Sequence, residues 1–433
     1  MKRLAQIVAL SVAFVMILGV QAMAKTVTIT YWHGFTGPDM PYMQQLIKKF
    51  NETHPGIVVK AQAIPWGNLF QQLQPVVAAG RAPDVVAVNE DVITGFSARG
   101  ALTELTPAML KSAGIDKSRF YPVLWNTAVY KGKVYGVPIH SVALVEYYNK
   151  KLLDAAGVDP TKLQNREQFL AALQKLTIDK NGKHANEPGF DPDNVVQWGT
   201  MIPLPWMGGS IYYSMLLQNG GAMLNADGTK AVFNSPQAVE ALQFLVDLIY
   251  KYHVSPANVT EDGSIAAFRQ GKEAFVFNGV WRYEDFKGQQ GLDFGVAPFP
   301  RLGTREDAAW GGSSYLALPR QRSVDAARQK AALAFVNWMT EPAQDLYWTG
   351  AGSLPTQPVV AKDASFEGKP MKPVFAGLQY VHPFSGFPWV AQVRAALDEA
   401  VGNALLKKET PKSALDAGVS EANKQIADAM ANQ

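Results

Sequence analysis

The sequence predicts an α/β fold divided into two lobes, with mostly parallel sheets flanked by helices, and three observations predict it. Extended and helical segments alternate through residues 27–89, the order that builds a parallel sheet. At 433 residues the chain is too long for one ordinary core, so about two to three domains, or two closely connected lobes, are expected. Residues 138–158, PIHSVALVEYYNKKLLDAAGV, read as an extended segment that leaves one lobe, shows small polar side chains to a gap and enters a helix of the other. With 48% hydrophobic and 18% charged residues the chain can bury a substantial core, and disorder of the whole is excluded.

Residues 1–24 carry Lys2 and Arg3, an apolar run over 7–20 and the small-x-small ending Ala22-Met23-Ala24, the pattern of a cleaved secretory signal peptide. Cleavage after Ala24 leaves 38 Lys and Arg against 37 Asp and Glu, which implies no polyanionic partner and no nucleic acid. The chain has no cysteine. Disulfides, thiol nucleophiles, zinc–thiolate sites and a lipidated cysteine are thereby excluded, and a periplasm is the compartment expected.

In chain order, KTVTITYW alternates Val27, Ile29 and Tyr31 with threonines as a half-buried strand. A helix follows through Met43, Leu46, Ile47 and Phe50, then the strand IVVKAQAI, a helix over 68–79 interrupted by Pro75, and the strand APDVVAVNE. In such sheets the loops after the strands' carboxyl ends face the ligand crevice, which puts Trp32, His33, Trp66, Asn89 and Glu90 on one rim. A hairpin turning at 131–133 leads into the crossing segment, and its helix over 150–156 stops at Gly157. Helices are expected at 165–176, at 211–218 and from Ser235-Pro236 to 252, the last a cap followed by proline. Residues 182–198 read as a polar loop and 274–277 as a strand before Asn278-Gly279. GLDFGVAPFP reads as a further strand and AWGGSSYLAL as a glycine-rich turn feeding one more. The remainder is helical, at 324–339, 342–348, 388–405 and 411–430.

The usual catalytic constellations are missing. Six scattered histidines form no helical pair at metal spacing, and no GxSxG, HExxH or phosphate-loop motif occurs. Aromatics beside glycines recur instead, at Trp32-His33-Gly34, Trp66-Gly67, Trp206 to Gly209, Gly279-Val280-Trp281 and Trp310-Gly311-Gly312. An indole face packs on the C–H face of a polyol or sugar, and amides beside glycine donate to its oxygens, so these point to a polar ligand. No cofactor, metal or catalytic residue is expected.

WHGF, AGRAPDVVAVNE, GVPxxS, VEYYNKKLLDAAGV, GFDPDNVVQWG, FNGVW and WGGSSYLAL stand in this order along nearly the whole mature chain. Together they resemble the family 1 extracellular solute-binding proteins of ABC importers. The resemblance implies a type II periplasmic binding protein fold, two α/β lobes closing like a hinge on a small ligand and presenting the closed form to permease subunits. It implies a monomer and no catalysis. The expected division is 25–139 with 282–335 for the N-terminal lobe and 140–281 with 336–433 for the C-terminal lobe.

Within that family the chain is most similar to the members that bind glycerol 3-phosphate. By that likeness Trp66 holds an aromatic position, Glu90 accepts from ligand hydroxyls, Ser141 donates a hydroxyl and Trp206 stacks on the ligand. Asn278 and Gly279 form a polar loop contact, Gly312 supplies a backbone donor and Arg394 binds phosphate. Trp32, His33, His140, Ser313 and Ser353 are further candidates. One departure falls at 352–355, Gly-Ser-Leu-Pro, where those members carry a tyrosine just before Leu-Pro. The expected ligand is accordingly a polyol phosphate or a glycerophosphodiester. The alternatives are a di- or oligosaccharide and, from another class, a glycoside hydrolase using two carboxylates.

Overall fold

The computed structural model describes residues 26–384 and 386–431, so the expected signal peptide, 1–24, lies outside the described residues. Strand β1 (Val27–His33), helix α1 (Met40–Thr53), β2 (Ile57–Ala63), α2 (Trp66–Ala78), β3 (Val85–Asn89) and α3 (Glu90–Ala98) alternate as expected. The alternation in β1 turns Ile29 and Tyr31 into the core, while β3 is buried on both faces because helices cover both sides of the sheet. β1 lies parallel to both β2 and β3.

The crossing segment is one long strand, β4 (Val137–Asn149). Helix Lys150–Ala156 continues from it, capped by the Asn149 side chain and stopped by Gly157 in the left-handed conformation. After it come β5 (Val195–Thr200), α4 (Trp206–Gln218), α5 (Pro236–Tyr250), α6 (Glu261–Arg269), β6 (Glu273–Gly279), β7 (Phe294–Pro298), β8 (Ala309–Ala317), α7 (Ala326–Met339), α8 (Val390–Leu405) and α9 (Pro411–Ala431). The sheet runs β2-β1-β3-β8-β4-β6-β5 and ends on the short strand Ile178–Asp179, with β7 also paired to β4. The first half of β4 pairs with β8, from Leu316 opposite Val137 to Gly311 opposite Ala143. Its second half pairs with β6 and β7, where Val145 faces Asn278 and Pro298. Parallel pairing thus belongs to β1–β3 and to β5 with β6, and the antiparallel pairs among these long strands are those made by β4 and β8.

Separate cores lie on the two sides of this crossing. Tyr31, Phe50, Phe335 and Trp348 fill one beneath β1 to β3, and Ile211, Tyr212, Phe275, Phe277, Leu397 and Leu415 are among those that fill the other. The structure revises four local expectations. Pro75 sits inside an unbroken α2. Residues 195–200 are strand rather than loop, clamped between Ile178–Asp179 and β6. Trp206 to Gly209 form the first turn of α4, where glycine is required because α8 crosses so close that a Cβ on Gly209 would fall 1.7 Å from Asp398 Oδ1. Gly311 and Gly312 lie within β8, not in a turn: a Cβ on Gly311 would fall 2.5 Å from the Val142 carbonyl oxygen.

Candidate functional site

Parallel strands end together, so the segments after their carboxyl ends collect on one edge of the sheet. Residues 34–39 after β1, Trp66 after β2 and Asn89 to Asp91 after β3 form one wall of a cleft of about 540 Å3. Facing them are Trp206 and Glu261, which open α4 and α6, Trp281 and Arg282 after β6, and Arg394 and Asp398 of α8. His140 and Val142 of β4 and Trp310 and Ser314 of β8 make the floor, and the buried Ser353 and Phe384 complete the lining. A larger depression of about 700 Å3 lies between Arg166 and Lys412 on an outer face, where the two cations already pair with Glu240 and Asp416.

The glycine–aromatic pattern has a packing cause. The Trp66 indole lies directly on the backbone of Gly34, where a Cβ would come within 1.9 Å of the ring, and Trp281 lies on Gly279 in the same way. On the far wall Trp206 stacks on Trp281 with centroids 6.0 Å apart, and both meet the Trp310 ring edge to face at 6.0 and 6.1 Å. Phe35 meets Trp66 edge to face at 5.1 Å on the near wall. Trp206 is 37% exposed, an unusual position for so large an apolar ring unless something covers it.

The cations of the cleft are committed. Arg394, 7% exposed, donates from Nε to Asp398 Oδ1 at 2.7 Å and from one terminal nitrogen to the Trp206 carbonyl at 2.7 Å and Ser210 Oγ at 2.9 Å. Its guanidinium also lies 4.3 Å over the Phe384 ring. Arg282 pairs with Glu261 at 2.7 Å and reaches Asp285 at 3.5 Å. Glu261 in turn accepts from Trp206 Nε1 and from Asn278 Nδ2, each at 3.1 Å.

The acids on the near wall form no ion pair among the described residues, although the Arg394 charge acts on Glu90 and Asp91. Glu90 is 5% exposed; burial, and then the neighbouring Asp91 charge, push its pKa up to about 8. Burial raises Asp91 as well, and its Oδ1 is buried without a hydrogen-bond partner. Burial pushes Asp39 up to about 6, and Asp398 to about 6 even with Arg394 pulling it back. His140 is lowered to about 4 by burial and is therefore neutral; both its ring nitrogens lack partners.

Of the residues singled out from the sequence, Trp66, Glu90, His140, Trp206, Ser353 and Arg394 line this cleft. The others are not among its lining residues. Trp32 packs on the core between α2 and β3, and His33 is enclosed between the Tyr31 and Phe35 rings. Ser141 Oγ donates to the Gly312 carbonyl at 3.0 Å, and its backbone bridges to Leu354 in both directions. Ser313 Oγ donates to the His140 carbonyl at 2.6 Å, Asn278 is used by Glu261 and by the Gly279 amide, and Gly279 lies beneath Trp281. Gly312 acts indirectly: a Cβ there would lie 2.5 Å from Glu90 Cδ, so its bareness is what lets that carboxyl lie against β8. Sequence reasoning missed Asp39, Asp91, Glu261, Arg282, Phe384 and Asp398. Two had a signal, since Asp91 follows Glu90 and Asp398 stands one helical turn after Arg394.

The sequence profile of the bacterial extracellular solute-binding proteins matches residues 36–345. A maltodextrin-binding protein, MdxE of Bacillus subtilis, is 26% identical over 395 residues, covering 87% of this chain and 85% of that protein. The sn-glycerol-3-phosphate-binding periplasmic protein UgpB of Salmonella typhimurium is 25% identical over 440 residues, 94% of each chain. Among solved structures, the ABC substrate-binding protein Lmo0181 from Listeria monocytogenes in complex with cycloalternan superposes with a TM-score of 0.78 at 24% identity, over 93% of this chain and 99% of that one. The maltose/maltodextrin-binding domain MalE from Bdellovibrio bacteriovorus bound to maltotriose gives 0.77 at 22% identity, over 93% and 100%. These structures speak for the fold, which is the two-lobed type II architecture, and the profile covers most of the described residues: the chain belongs to the bacterial extracellular solute-binding protein family.

Proposed function

We propose that the chain is the substrate-binding component of an ABC importer and that its cleft captures a di- or oligosaccharide outside the cytoplasm for delivery to membrane permease subunits. The observation that carries this is the pairing of stacked tryptophans with carboxylates that have no cation of their own. Trp206, Trp281 and Trp310 offer flat apolar faces, while Glu90 and Asp91 offer acceptors to hydroxyl groups. Arg282 Nε, a buried donor without a partner, suits a ring or hydroxyl oxygen. The two lobes would be 25–139 with 282–335 and 140–281 with 336–433. The cores favour extending the first through 351, since Met339, Trp348 and Ala351 pack with Tyr31 and Phe335.

The polyol phosphate or glycerophosphodiester reading keeps one point in its favour, the full-length likeness to a glycerol-3-phosphate-binding protein. Against it, Arg394 already neutralises Asp398, and a phosphate would have to enter beside Glu90 and Asp91. A thermal-shift panel decides between them, because a ligand that binds only the folded chain stabilises it by about 2.7 kcal/mol at a hundred times its Kd. Maltose, cellobiose and their longer oligomers should raise Tm while sn-glycerol 3-phosphate and glycerophosphodiesters do not. The opposite pattern would overturn the saccharide reading.

A further inference from the structure

Five carboxylates line the cleft, Asp39, Glu90, Asp91, Glu261 and Asp398, against two guanidiniums, Arg282 and Arg394. The guanidiniums are consumed by Asp398 and Glu261, with Asp285 outside the cleft lining also holding Arg282. Asp39, Glu90 and Asp91 form no ion pair among the described residues, and Asp91 Oδ1 and the neutral His140 ring are enclosed with nothing to bond. An unpaired buried acid is costly, and a neutral hydroxyl relieves less of that cost than a cation does. The surrounding indole faces also attract positive charge.

We propose that the saccharide taken by this cleft carries a protonated amine, seated against the Glu90–Asp91 pair beside His140. The inference rests on the saccharide reading and adds a charge to it. An ammonium group there donates up to three hydrogen bonds, enough to meet both carboxyls of the Glu90–Asp91 pair. It also brings the formal charge of the cleft nearer to neutral. With a neutral sugar the pair has only the charge of Arg394, already paired with Asp398, acting on it, whereas a phosphate brings an anion beside two buried acids.

The test is titration calorimetry with sugars that differ only in that group: the β-1,4-linked disaccharide of glucosamine, cellobiose and N,N′-diacetylchitobiose, with glucosamine and glucose as the single-ring pair. Below the amine's own pKa the amino sugars should bind about tenfold tighter than their hydroxyl counterparts, the size of one charge-assisted hydrogen bond. In Asp91→Asn that ratio should fall toward one, and Glu90→Gln carries the same comparison if Asp91→Asn does not fold. Equal or tighter binding of the neutral sugars overturns the amine and leaves the saccharide reading standing. A preference that survives both substitutions overturns its seat. Binding of glycerol 3-phosphate with no saccharide binding, or silence from every probe, sinks both.

Discussion

Arg394 shows how far a residue's surroundings decide its role. On sequence it is a helix residue among Val393, Leu397 and Asp398; in the structure it joins α8 to the first turns of α4 through Ser210 and the Trp206 carbonyl while pairing with Asp398 along its own helix. Removing one partner of a buried pair costs about 3–5 kcal/mol, so Arg394→Ala should lower Tm sharply even without ligand. Denaturant unfolding of the free protein checks this, and an unchanged midpoint would make Arg394 a ligand contact alone. Trp206 behaves oppositely. Its ring is more than a third exposed, so Trp206→Ala should leave Tm within a few degrees yet weaken saccharide binding by about 1–2 kcal/mol, read by calorimetry. The buried acids set a pH dependence. Glu90 and Glu146 are pushed from the ordinary 4.5 up to about 8 by burial, and Asp345 from 3.8 to about 7. The folded chain therefore holds protons that the unfolded chain releases, and stability is lost as pH rises through that window. Thermal melts of the free protein should show Tm highest near pH 5 and falling toward about pH 8.

At the scale of elements, close approach explains where glycine replaces the residue that propensity would choose. Gly199 in β5 lies against the helix over Arg166–Leu176, where a Cβ would fall 2.5 Å from the Leu173 carbonyl oxygen and 2.9 Å from its Cα. Both neighbours are backbone and neither can swing aside. Gly199→Ala should therefore destabilise by about 1–3 kcal/mol, seen as a lowered chemical midpoint. Gly182, whose φ is +78°, has open space where a Cβ would be, so its need is conformational and not steric. The same reasoning explains β8. Its glycines read as a turn along the chain, but in the sheet they admit Val142 on one face and Glu90 on the other.

The whole molecule turns on β4, which pairs with strands on both sides of the crossing and contributes to both cores. Across the cleft, α3 meets the segment that leads into α8 through Thr94 Oγ1, which donates to the Phe387 carbonyl at 3.1 Å. A saccharide touching both walls adds contacts that only the closed arrangement has, so it should shift the lobes toward closure. Small-angle scattering should then show a smaller radius of gyration with a stabilising saccharide than without it; an unchanged radius would mean that the free protein is already closed.

Local patterning determined most of the elements: the β1 to α3 alternation, the long crossing strand and its capped helix, and the Ser235-Pro236 helix start are governed by periodicity and by residues within a few positions. The likeness of ordered motifs supplied the family, and through it Trp66, Glu90, Trp206 and Arg394 for the cleft. Tertiary structure alone decided which polar groups are free to meet a ligand. Ser141, Ser313 and Asn278 were plausible donors in a string of letters, but each has its bonds made within the protein. Asp91 and Asp398 become site residues only because α3 and α8, some three hundred residues apart in sequence, face each other across one cleft. Hydrogen-bond commitment and the sum of charges around a cavity are properties of neighbours in space, and no spacing along the chain encodes them.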